Sequence, residues 1–208
     1  MTLRDVLELV YFISGGPLLA IIAAIGLKQL NIAKSSAKMS AKRDAYRLAA
    51  ERVDFYLGEV IPALNELDKK IKELELESIW KSTSFEINDN KISIKINSDP
   101  NLAKALLELG NGATVAFNKL EAFAVPFVSG LADCDVAYNS IGTTYMFSVE
   151  RNLWILAICG ESYYKSVSGL FCLWSLKKSS SDLLLQKEQL DNKIAKIGTG
   201  PLVKVLGS

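Results

Sequence analysis

The chain has 208 residues, with 24 Lys plus Arg against 23 Asp plus Glu, and its length suits one globular core of about 100–150 residues with an appendage. A balance this close to zero argues against a protein built mainly to wrap nucleic acid, so no DNA partner is expected, and any attraction to an anionic surface must be local. The sequence contains no histidine, which removes the commonest general base and the commonest ligand of catalytic zinc.

From Leu9 to Leu27 no side chain is charged. At about 1.5 Å per helical residue this run approaches the length that crosses a hydrocarbon core of about 30 Å. A cleaved signal peptide would carry a basic leader, whereas Arg4 is offset by Asp5 and Glu8. A buried core helix fits poorly with the abrupt switch to charged sequence after Leu27. Lys28, Lys34, Lys38, Lys42 and Arg43 follow the run, so the positive-inside rule puts the bulk of the chain in the cytoplasm and the N-terminus outside. Within the run Gly16, Ala20 and Ala24 recur every fourth residue. Such a small-residue stripe lets helix backbones approach closely in lipid, although Gly and Ala are common in membrane helices in any case. Pro17 lacks a backbone donor and crowds the carbonyl of Ile13, which predicts an interruption or kink there.

Residues 29–77 read as a long helix with Ala45, Ala49, Val53, Leu57, Val60, Leu64, Leu67, Ile71 and Leu74 on one apolar face. The spacing from Val60 to Leu74 has the alternation of a coiled-coil seam, which in so short a stretch more often means ordinary packing in a bundle. Pro62 predicts a bend. Lys34, Lys38 and Lys42 fall on one side, placed either for anionic lipid head groups at roughly 1 kcal/mol each or as a solvated face.

Helical spacing then gives way to alternation at Phe85 and Ile87 and at Ile92, Ile94 and Ile96, which predicts a β-hairpin about Asn88-Asp89-Asn90. A helix is predicted from Pro100 to a turn at Gly110-Asn111-Gly112, and a second from Ala113 to Val128. A loop from Ser129 to Gly142 should lead to helices over Thr143–Ile158 and Ser162–Leu176. Ser179 to Asp182 should cap a last amphipathic helix that ends before Gly198, Gly200 and Pro201. Lys119 and Glu121 interrupt the one other apolar stretch long enough to suggest a span.

The expected fold is therefore mainly α: a transmembrane anchor over residues 1–28, a juxtamembrane and long kinked helix over 29–80, and a helical bundle over 81–197. The bundle carries one small hairpin insertion near 85–96, and a tail follows over 198–208.

Little in the sequence points to chemistry. Asp133 and Asp135 could bind a cation or cap helices, and no third ligand lies near them in sequence. Arg151 would pair with one of those two carboxylates or recognise a ligand. Cys134, Cys159 and Cys172 include no Cys-x-x-Cys pair and read as small, reduced, buried hydrophobes. Phosphate loops, dinucleotide fingerprints and nucleophile elbows are missing, so neither a cofactor nor a bound metal is expected and the chain reads as non-enzymatic.

The N-terminal span, the basic-to-amphipathic helix, and the strings Leu120-Glu121-Ala122-Phe123-Ala124-Val125, Gly130-Leu131-Ala132-Asp133, Tyr163-Tyr164 and Leu173-Trp174 together resemble the small bacterial membrane proteins with a HEPN-like helical domain. Some of these accompany type VI CRISPR effectors, and others sit among phage-defence genes. The resemblance implies a homo-oligomer of the bacterial inner membrane whose pore or depolarisation halts an infected cell. It also leaves open a membrane-tethered adaptor for a defence-system protein or an RNA partner. HEPN nucleases use an arginine-to-histidine motif, and a chain without histidine departs from that pattern, so no catalytic residue carries over.

Overall fold

The apolar residues of the N-terminal third, interrupted by neither Gly nor Pro in a way that breaks the backbone ladder, form one very long helix. A computed structural model of the chain describes residues 2–78, 83–88, 91–96, 102–159 and 163–198. Helix α1 spans Leu3–Phe55, a π-helical turn covers Tyr56–Val60, and α2 follows over Ile61–Glu73. Pro17 lies inside α1, and the helix continues through it. The predicted interruption is absent because a single missing N–H removes only one rung of a ladder that is otherwise intact on both sides.

The chain divides into two units, Met1–Arg47 and Leu48–Ser208. In the first, the large apolar side chains of α1 are exposed, Phe12 to 75% and Leu19 to 67%. Its Leu3–Glu73 continuation contains the one helix, among the described residues, long and apolar enough to cross a membrane. The most apolar window of that helix has a mean hydropathy of 2.0, and none of it is buried. A helix made for the core of a soluble domain would bury most of such a window.

In the second unit the π turn explains how the chain handles Pro62. The Ile61 N–H bonds back to the Tyr56 carbonyl, five residues earlier, and Pro62 then occupies the first turn of α2, where a missing N–H costs nothing. Tyr56 is fully buried while Leu57 is 49% exposed, so the predicted apolar face is corrected at that one position. Leu64, Leu67 and Ile71 are buried as the spacing implies. Their partner is α3, Leu102–Val128, against which α2 packs. The heptad-like seam is thus filled within the bundle.

Strands β1, Thr83–Asn88, and β2, Lys91–Ile96, pair antiparallel with Phe85 opposite Ile94 and Ile87 opposite Ile92. The predicted hairpin is present, and its connecting residues Asp89 and Asn90 lie outside the described residues. Ile92 is buried, and the Phe85 ring meets Phe171 edge-on at 5.5 Å, which fastens the hairpin to the bundle.

Several predicted helix boundaries move. Pro100 and Ser162, the predicted first residues of two helices, lie outside the described residues. Helix α3 runs unbroken through Gly110-Asn111-Gly112; neither glycine has the positive φ a turn would require, and Thr114 Oγ1 donates to the Gly110 carbonyl at 2.7 Å within the helix. Instead of a loop to Gly142, helix α4 begins at Cys134 and ends at Arg151. Gly142 is buried in it, and a Cβ there would come within 2.7 Å of the Tyr138 ring, one turn earlier. Asn152 breaks the chain direction, and α5 covers Leu153–Cys159. Helix α6 is continuous over Lys165–Gly198. The predicted cap at Ser179–Asp182 fails because Ser181 Oγ donates to the Lys177 carbonyl, four residues back, and so the hydroxyl serves the helix interior.

The core gathers where α3, α4 and α6 meet. Tyr56, Phe123, Tyr145 and Trp174 form a chain of rings with centroids 5.0 to 6.3 Å apart, a geometry worth about 0.5–1.5 kcal/mol per pair beyond burial. The Tyr145 hydroxyl donates to the Val167 carbonyl at 3.0 Å, which satisfies the one polar atom of a fully buried ring.

Candidate functional site

The residues singled out in the sequence fall at three separate places. Ala20 and Ala24 are exposed on α1, four residues apart on one face. Gly16 belongs to the same helix, and its surroundings lie outside the described side chains. Lys34, Lys38 and Lys42 are all exposed further along α1, and Lys42 Nζ lies 5.4 Å from the centre of the Tyr46 ring.

Asp133, Asp135 and Arg151 do not form a cluster, which corrects the expected pairing. Since α4 starts at Cys134 rather than Thr143, Asp135 and Arg151 stand at its opposite ends, about 24 Å apart at 1.5 Å per residue. Asp133 is the N-cap, with Oδ1 accepting from the Asp135 and Val136 N–H groups at 3.0 Å each. Asp135 pairs with Lys177, whose Nζ also stands 4.5 Å from the centre of the Tyr138 ring. Among the described residues no three His, Cys, Asp or Glu side chains gather as a metal site would require. None of the three cysteines is in a disulfide; Cys172 is buried, whereas Cys134 and Cys159 are partly exposed. Burial pushes the Cys134 and Cys159 thiols up, opposed at Cys134 by the Trp174 indole N–H, which donates to Sγ at 3.2 Å. Protonated thiols of this kind are poor nucleophiles.

Arg151 makes its ion pair with Asp68 of α2, Nη1 to Oδ2 at 2.9 Å, with both side chains 24% exposed. Sequence reasoning missed Asp68, because its neighbours Asp54, Glu66, Lys69 and Lys70 give it the look of any solvated position on a charged helix face. The signal was periodicity: Asp68 follows Leu67 directly and lies one turn beyond Leu64, at the edge of the apolar stripe. Burial pushes the Asp68 carboxyl above the usual carboxylate range, opposed by Arg151 and Lys72.

The pair borders a cavity of about 230 Å³ between α2 and α4, whose wall includes Asn65, Thr144, Phe147, Ser148 and Asn152. Asn152 is 2% exposed; its Nδ2 donates to the Ser148 carbonyl at 2.9 Å, while its Oδ1 has no partner. Asp68 Oδ1 is likewise buried without a donor. Two unsatisfied buried acceptors are costly, on the order of 1–3 kcal/mol each. Phe147, on the cavity wall, is 65% exposed.

No family model, curated protein or solved structure matches this chain.

Proposed function

We propose that the chain is a non-enzymatic effector of bacterial antiphage defence, anchored in the inner membrane by α1 with its N-terminus outside and its bundle in the cytoplasm. Copies associate through Gly16, Ala20 and Ala24, and the assembly perturbs the membrane as a pore or by depolarisation. The observation that carries the reading is the apolar window of α1, unburied throughout and followed by Lys28, Lys34, Lys38, Lys42 and Arg43. Exposed apolar side chains on that scale need lipid or a partner.

A second reading has its own support. The seam of α2 is consumed inside the bundle and is not free to pair with a neighbouring copy, which favours a membrane-tethered adaptor for a cytoplasmic protein or RNA partner.

One experiment separates the two. Replacing Ala20 and Ala24 with Leu keeps the helix apolar but adds bulk to the packing face. The effector reading expects the variant to resist carbonate extraction like the wild type, lose high-mass complexes in native electrophoresis, and cause less dye leakage on expression. A wild type that is monomeric in mild detergent and leaves the membrane potential unchanged would leave the adaptor. Release of the wild type by carbonate would remove the anchor from both readings.

A further inference from the structure

Helix α6 begins inside the bundle and ends outside it. Trp174 is fully buried, whereas every residue from Lys178 to Lys193 is exposed. That segment continues the helix for about 24 Å at 1.5 Å per residue with no side chain in the core. A helical stretch of this length is marginal in water when nothing packs on it.

The segment carries a repeat of the kind that pairs helices. Leu176, Leu183 and Leu190 stand seven residues apart, and the sequence places Ile197 at the next position of the series. The three leucines are exposed, Leu183 to 64% and Leu190 to 60%. A seven-residue step returns almost to the same line on a helix, drifting by only about 20°, so the leucines form one narrow stripe. Lys187 and Asp191 border it on one side and Gln186 and Lys193 on the other. A helix that lies on a lipid surface has a broader apolar face, and a stripe this narrow is the seam of a coiled coil.

The stripe is complementary to itself, which selects the occupant. When two copies lie parallel and in register, leucine meets leucine in each layer, and leucine at this heptad position favours two strands. The other inward positions hold Leu173, Ser180 and Lys187. A single lysine there fixes register and suits a two-stranded coil, in which its stem follows the helix and its ammonium reaches water. A reversed partner would set Leu183 against Lys187 and Leu190 against Ser180, and the leucine layers would be lost. At the flanks Gln186 would face Asp191 of the copy, so no like charges oppose each other there. We infer that two copies of the chain pair through the exposed half of α6 as a parallel, in-register coiled coil closed by Leu176, Leu183 and Leu190. The interface needs no contact between α1 helices, so it holds or fails separately from association through Gly16, Ala20 and Ala24.

The test uses the full chain in mild detergent, carrying Ala20→Leu and Ala24→Leu so that packing between α1 helices does not contribute. Light scattering after gel filtration should give twice the mass of one chain. Adding Leu183→Asp and Leu190→Asp together should halve that mass. Both side chains are exposed in the single chain, so the near-ultraviolet circular dichroism and protease resistance of the bundle should not change. Disulfides read the geometry. Under mild oxidation Leu190→Cys should cross-link to its counterpart, whereas Leu185→Cys, about 200° round the helix from Leu183, should not exceed the background set by Cys134, Cys159 and Cys172. A chain already monomeric before the aspartates are added would overturn the proposal and show that the leucines serve a different partner. A dimer indifferent to both aspartates would overturn it too, as would a Leu190→Cys variant that cross-links no better than Leu185→Cys. None of these outcomes alters carbonate extraction or the high-mass complexes expected of the wild type through α1.

Discussion

Glu121 in the middle of α3 accepts the N–H of Val167 at 3.0 Å with one carboxylate oxygen, and the other oxygen accepts the N–H of Ser166 at the same distance. A side chain 46 residues earlier in the sequence thus caps the start of α6, where the helix dipole also favours a negative charge. Glu121→Ala should cost about 1–3 kcal/mol, because the Val167 N–H is buried and would be left unpaired. Glu121→Gln keeps one acceptor and should cost about half as much. Urea denaturation followed by circular dichroism would measure both, and a cost for Glu121→Ala within experimental error of zero would show that water replaces the cap.

That contact marks the limit of what the sequence discloses. Periodicity located the apolar face of α2 and the hairpin, since each depends on residues close together in the chain. Glu121 was legible only as a charge that spoils an apolar run, and Asp68 only as a polar residue on a charged helix, because their partners are 46 and 83 positions away. Turn-forming residues misled for a related reason. Gly110, Gly112, Gly142 and the run from Ser179 to Ser181 all occur inside helices; a Cβ at Gly142 would meet the Tyr138 ring and one at Gly112 the Lys70 side chain, whereas Gly110 has open space around it. The failed pairing of Arg151 with Asp133 or Asp135 followed from a helix start placed nine residues too late.

Two positions with left-handed backbone invite substitutions of opposite sign. Glu75, with φ 55°, follows α2, and the Leu76 N–H closes the helix end on the Ile71 carbonyl at 3.0 Å. Gly130, with φ 73°, plays the same part after α3, where the Leu131 N–H reaches the Pro126 carbonyl at 2.9 Å. A side chain in this conformation costs about 1 kcal/mol that glycine avoids. Glu75→Gly should therefore stabilise the bundle by about 1 kcal/mol, and Gly130→Ala should destabilise it by a similar amount. Thermal unfolding of the two variants, read against the wild type, gives the signs directly; a lower melting temperature for Glu75→Gly would contradict the argument.

The buried tyrosines predict an alkaline limit to stability. Burial pushes the Tyr56 hydroxyl up to about 12, with the hydrogen bond to Ser148 opposing, and burial also holds Tyr145 well above the ordinary tyrosine value. Both are raised in the folded chain, so their contribution is fully present below the unfolded value of about 10 and is lost as pH rises from there toward the folded one. Absorbance at the phenolate wavelength should show Tyr56 and Tyr145 ionising only together with loss of helicity. Tyr56→Phe should shift that unfolding step to higher pH. Ionisation of Tyr56 and Tyr145 with helicity retained would show that the two rings are accessible.

The seam of α2 provides the sharpest contrast between adjacent residues. Leu64 and Ile71 are 5% and 4% exposed, whereas Leu57, on the same predicted face, is 49% exposed because Tyr56, the first residue of the π turn, takes the inward position. An aspartate at Leu64 or Ile71 would bury a charge with no partner, and the bundle should lose several kcal/mol. At Leu57 the same substitution leaves the carboxylate in water and should change stability by about 0.5 kcal/mol or less. Since the seam faces α3 of its own chain, Leu64→Asp and Ile71→Asp should unfold the bundle, seen as rapid proteolysis and loss of near-ultraviolet circular dichroism. If either variant instead kept a folded, protease-resistant bundle and lost only its high-mass complexes, the seam would lie between copies, and the internal packing of α2 on α3 described here would be wrong.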